Sequence, residues 1–105
     1  MQWDEFSDWG AKISQWAADY HTNLRDRPVR AQSLPGDVAA LIALAPPEGP
    51  QDMSEIMEDF ERVVMPGITH WQHPRFFAYF PANVAPPSML AEMLVSTIAA
   101  QCMLW

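Results

Sequence analysis

The sequence predicts an all-α chain interrupted by one extended aromatic segment, and three observations carry that prediction. Apolar residues between Asp4 and Leu24 recur at helical spacing, a capping signature opens a second amphipathic run at Asp52, and Pro86-Pro87 opens a third. Between the second and the third lies a proline-bounded block, Met65 to Pro87, whose aromatic density fits neither an amphipathic helix nor a solvated loop.

The first helix rests on Phe6, Trp9, Ile13, Trp16, Ala17, Tyr20 and Leu24, which fall on one face. Asp4, Glu5 and Asp8 suit the positive end of the helix dipole, and Asp4 is the expected cap. Gly10 weakens this helix and is expected to allow a close helix approach. Arg25, Arg27 and Arg30 cluster around Pro28 as a solvated turn, with an anion site as the alternative. Pro35-Gly36 makes a turn, Asp37 can cap a short helix through Val38, Leu41, Ile42 and Leu44, and Pro46 to Pro50 form a stiff connector. Asp52 and Glu55 make a capping-box start for a helix ending at Met65, with Ile56, Phe60, Val63 and Val64 on its apolar face. Its other face carries Glu55, Glu58, Asp59 and Glu61, a pattern expected of solvated charge. After Pro86-Pro87, the residues Met89, Leu90, Met93, Leu94 and Ile98 make an apolar side, and with Glu92 the sole charge after Arg75 this helix is expected to be buried around most of its circumference.

In the aromatic block, Met65-Pro66-Gly67 stops the preceding helix. Trp71, Phe76, Phe77, Tyr79 and Phe80 then crowd between Gly67 and Pro81. Alternation along a strand sends Phe77 and Tyr79 to one face and Phe76 and Phe80 to the other, so this segment needs cover on both sides, as a core crossing or as a pocket wall.

Composition narrows the function. Of 105 residues, 50% are hydrophobic and five are tryptophan, more apolar surface than one small domain hides, which predicts a bare apolar flank. A net charge of −7 argues against nucleic acid and anionic membrane as partners. Cys102 is the only cysteine, so an intrachain disulfide or a cysteine zinc site is impossible and a reducing compartment fits. The acidic start MQWDEF is not a secretory signal, and the run Val38 to Ala45 falls far short of the roughly 20 residues of a membrane helix, so a cytoplasmic, soluble protein is expected. The apolar ending Gln101-Cys102-Met103-Leu104-Trp105 predicts a natural chain that continues.

Candidate chemistry is sparse. His70 and His73 have a spacing that suggests a metal pair, but Pro74 disfavours a helical ligand face and no third ligand is evident, so no metal site is expected. No serine sits in a nucleophile motif and no glycine-rich phosphate cradle is present, so no catalytic residue is assigned to this segment.

The residues themselves carry a stronger signal. Pro66-Gly67, Thr69-His70-Trp71, Pro74, the run Phe76-Phe77-Ala78-Tyr79-Phe80-Pro81, then Met89-Leu90-Ala91 and Met93-Leu94, in that order, closely resemble the N-terminal part of the group II pyridoxal-phosphate-dependent amino-acid decarboxylases, the aromatic-L-amino-acid decarboxylase family. The resemblance implies a lyase that converts an aromatic L-amino acid to its amine and carbon dioxide, using pyridoxal phosphate held by a later domain. It implies that residues 1–85 form a helical dimerisation flap and that residues 86–105 begin the cofactor-binding domain of a fold-type I transferase, otherwise missing here. It places Trp71, Tyr79, Phe80, Pro81 and Ala82 at the substrate and sends Gln101 and Met103 into the partner subunit's pocket of a homodimer. Ala82 departs from the hydroxyl residue of animal members, and Gln101 departs from the usual apolar or aromatic residue, so both put the preferred substrate in question. Lys12, the sole lysine, matches no family position, so this segment alone is expected to be inactive.

Two rivals stand beside that reading. One is a free-standing helical interaction module that binds a full-length relative. The other is a family member acting as an aldehyde synthase or on another amino acid, such as histidine or an acidic one.

Overall fold

The computed structural model describes residues 1–80, 83–101 and 103. Among them every regular element is helical: α1 (Trp3–Thr22), α2 (Asp37–Leu41), α3 (Met53–Asp59) and α4 (Pro86–Ile98), with short 3-10 turns at Leu24–Asp26 and Met65–Gly67 and a π turn at Phe60–Val64. All four predicted helices are therefore present, α1, α2 and α3 differing at an end and α4 opening at Pro86 as expected.

α1 begins one residue before Asp4, so Gln2 occupies the cap position, its N–H donating to the Glu5 carboxylate at 2.9 Å. Asp4 lies inside the first turn, where its charge still favours the dipole. In α2 the cap is Gly36, in the left-handed region at φ 98°, which costs glycine little. Asp37 instead accepts the Leu34 N–H at 2.8 Å, and the helix stops before Ile42, which is extended. α3 starts at Asp52 as the capping signature predicts. Near its end the backbone widens, the Met65 N–H donating to the Phe60 carbonyl five residues back, before Pro66 removes the next donor. Pro86 and Pro87 open α4, where the Ser88 hydroxyl lies within hydrogen-bond distance of the Ala85 N–H (3.2 Å) and donates to the Ala85 carbonyl at 2.7 Å.

α1 docks through half of its stripe. Trp16 stacks on Tyr20, meets Phe60 edge-on at 5.2 Å between ring centres, and donates its indole N–H to Glu61, so Glu61 is an acceptor for α1 as well as part of the acidic face. Residues 29–33 run beside 66–70 as a strap: the His70 N–H donates to the Val29 carbonyl at 2.8 Å and the Ser33 hydroxyl to the Pro66 carbonyl at 3.0 Å. α2 packs on this junction, and a Cβ at Gly67 would lie 2.9 Å from Val38 Cγ2, so only glycine permits the approach. Leu24 and Met65 are the buried hydrophobic residues of this small core.

Two packing expectations are overturned. A Cβ at Gly10 would meet nothing within 4 Å, so no helix packs closely there. α4 is not enclosed: Leu90, Met93, Leu94, Val95 and Ile98 are all exposed, and the groove that α4 shares with the flank of α1 and with Met53 of α3 is open.

Candidate functional site

The aromatic block is not a strand. Two successive turns replace the expected alternation, the His73 N–H donating to the His70 carbonyl at 3.0 Å and the Phe76 N–H to the His73 carbonyl at 2.9 Å. Pro74 favours this path, since its ring presets the turn backbone and it has no N–H to give to a sheet. Each histidine ring secures a corner. His73 Nδ1 accepts the Arg75 N–H at 3.0 Å, which assigns the proton of the neutral ring to Nε2, a buried atom with no partner among the described residues. His70 Nδ1 lies 2.8 Å from the Tyr20 hydroxyl.

Burial lowers the His70 pKa, with Arg27 and His73 adding to the effect, and burial raises that of Tyr20 against the pull of Arg27. Both shifts favour the neutral pair at neutral pH, so we assign the phenol as donor and the imidazole as acceptor. Arg27, placed by sequence in a solvated turn, lies over the Tyr20 ring at 5.3 Å. The histidines are thus hydrogen-bonding pegs, and among the described residues no group of three or more His, Cys, Asp or Glu gathers to hold a metal.

The turns carry a row of rings into the open. Trp71 stacks on Tyr79 with centres 5.8 Å apart and planes 15° apart, while Phe76 packs on Trp71 at 5.0 Å. Tyr79 has a left-handed backbone at φ 57°, an uncommon conformation for an aromatic residue. The row is not core: Trp71 is 46%, Tyr79 83% and Phe80 99% exposed. Of the residues expected at the substrate, Trp71 and Tyr79 are thus in contact, and Phe80 projects without a ring partner among the described residues. Pro81 and Ala82 lie outside the described residues. Gln101 and Met103 are exposed beyond α4.

A concavity of about 820 Å³ lies elsewhere, between α1 and α4. Phe6, Ile13 and Ala17 of α1 face Met89, Leu90 and Met93 across it, and it contains none of the residues expected at the substrate. What sequence reading missed was the role of Tyr20, His70 and His73; the signal available was a His-x-x-His spacing that ends at a proline, which fits consecutive turns better than a helical ligand pair.

Comparison with known proteins places this geometry. The chain is 41% identical over 105 residues to the aromatic-L-amino-acid decarboxylase of Drosophila simulans, spanning 100% of the chain but 21% of that protein. Among solved structures, it superposes on Catharanthus roseus tryptophan decarboxylase in complex with L-tryptophan with a TM-score of 0.86 at 31% identity, covering 95% of this chain and 22% of that one. Rhodiola rosea 4-hydroxyphenylacetaldehyde synthase matches with the same TM-score of 0.86 and 31% identity, covering 94% and 21%. The chain thus spans about a fifth of the length of the relatives it matches. The family described as the pyridoxal-dependent decarboxylase conserved domain matches residues 35–105, well over half of the sequence, and the chain belongs to that family.

Proposed function

We propose that this chain is the N-terminal part of a pyridoxal-phosphate-dependent enzyme that converts an aromatic L-amino acid to its amine and carbon dioxide. The observation that carries this reading is the exposed ring row of Trp71, Phe76 and Tyr79, held out from a hydrogen-bonded double turn in a chain of this family. A planar side chain binds such a row by stacking, and an aromatic wall keeps water from the departing carboxylate. Under this proposal Phe80, Pro81 and Ala82 contact substrate as well, and Gln101 and Met103 take a role in the pocket of a second subunit.

No residue of this chain is assigned to the cofactor. Lys12, the sole lysine, lies over the Trp9 ring at 4.2 Å on α1. In this proposal pyridoxal phosphate is held elsewhere in the full-length protein, and this chain contributes binding and shielding. The α1/α4 groove and the bare side of α4 suit dimer contacts, being apolar surface that a second subunit can cover. No described helix is long and apolar enough to cross a membrane, and a cytoplasmic setting is part of the proposal.

An aldehyde synthase is the second reading, favoured by the equal match to a protein of that name. Product analysis of the full-length protein, loaded with pyridoxal phosphate and given tyrosine, tryptophan, DOPA or histidine, decides between them. Amine plus carbon dioxide from an aromatic substrate is expected. Aldehyde as the main product establishes the second reading, and no turnover of any of the four removes both.

A further inference from the structure

We infer that Tyr20 is a positioning residue for the Trp71 ring, acting through a phenol–imidazole latch to His70 that ties α1 to the double turn. The inference rests on the proposed role of Trp71 as substrate wall and names what sets its orientation.

Trp71 is the first of the two central residues of the turn from His70 to His73, and such residues take their direction from the corners. The His70 corner is held at three atoms: its N–H by the Val29 carbonyl at 2.8 Å, its carbonyl by the His73 N–H at 3.0 Å, and its Nδ1 by the Tyr20 hydroxyl at 2.8 Å. The first two bonds are backbone bonds of the strap and the turn, and neither reaches α1. The third comes from α1 and sets the His70 corner relative to that helix. Tyr20 is itself held in place, its ring stacked on Trp16 at 5.4 Å and 13° and covered by Arg27.

The ring neighbours of Trp71 give no such reference. Phe76 and Tyr79 belong to the same segment and move with it. The latch is also sheltered: His70 is 4% exposed, so water competes poorly for its hydrogen bond, which is stronger for it. Half-exposed Trp71 is therefore aimed from beneath by a residue 51 positions earlier in the chain that touches no substrate.

The test uses the full-length, cofactor-loaded enzyme and its best aromatic substrate. Tyr20→Phe removes one oxygen and keeps the ring that Trp16 and Arg27 hold. Loss of a sheltered hydrogen bond of about 1 kcal/mol corresponds to a KM rise of about fivefold, with kcat little changed because no reacting atom is involved. Trp71→Ala should raise KM further, and adding Tyr20→Phe to it should change nothing more, since Tyr20 acts only through that ring. Unchanged KM in Tyr20→Phe beside a raised KM in Trp71→Ala overturns the latch and leaves the pocket wall standing, even where Tyr20→Phe lowers thermal stability. Fully additive effects in the double variant also overturn it. Unchanged KM in Trp71→Ala removes the pocket wall and the latch together.

Discussion

His70 and His73 show how one residue type changes role with surroundings. Both rings are buried, and each has its Nδ1 within hydrogen-bond distance of a neighbouring donor, an arrangement that for His70 uses the neutral ring. For His70 the consequence is a pH dependence with a definite sign. Its pKa lies below the ordinary 6.5 in the folded state, so below that pH the unfolded chain binds more protons. Stability is then complete above pH 6.5 and declines as pH falls through the lowered folded value. Tyr20 limits the other side: its pKa is raised above 10.0, so its contribution is present below pH 10.0 and lost as pH rises through the folded value. Unfolding of the full-length protein across pH should show a decline below pH 6.5 that is weaker in His70→Asn. An identical acid decline in that variant contradicts the buried, neutral role. The spacing of the two histidines was visible in the sequence, but Tyr20 as partner was not, because the pairing spans 50 residues and depends on how α1 crosses the turn.

At the scale of elements, the helix starts were the most legible feature. Capping by Asp52 and the opening of α4 by Pro86 depend on residues within one turn of each other, so sequence order is enough. The junction from α3 to the aromatic block was only half legible. Pro66 dictates that the helix stops, whereas the π widening at Phe60–Val64 coincides with Phe60 and Glu61 meeting Trp16, a contact between distant segments. Gly67 has a comparable tertiary reason, the close approach of Val38. Valine is stiff at χ1 and cannot readily turn away, so Gly67→Ala should cost about 1 kcal/mol and accelerate hydrogen exchange across α2. Adding Val38→Ala should recover part of that loss. No recovery in the double variant would show that crowding at this contact is not the cause.

The whole molecule is open. Its radius of gyration is 16.8 Å, whereas a compact chain of this length has about 13 Å. Its accessible surface of 9183 Å² compares with about 6,000 Å² for a folded monomer of this mass. The bare apolar surface that composition predicted is part of that excess, along α4, the α1 groove and the ring row, with Leu34, Ile42 and Leu44 exposed as well. In light scattering the isolated 105-residue chain should associate and should bind a hydrophobic dye. A clean monomer without dye binding would mean that the chain repacks to hide this surface by itself. Where the surface sits was not legible beforehand: α4 reads as a buried helix because its apolar residues cover most of its circumference, yet the described residues leave it bordering an open groove.

The sequence by itself determined the helical class, the family, the stop at Pro66 and the surplus of apolar surface, since each depends on composition, on residue order or on contacts within a turn of chain. Only the tertiary structure decided that the aromatic block folds as two turns hung on buried histidines, that its rings face outward, and that α1 reaches it through Tyr20. Those features depend on which distant surfaces meet, and side-chain hydrogen bonds across 50 residues leave no periodic trace in the chain.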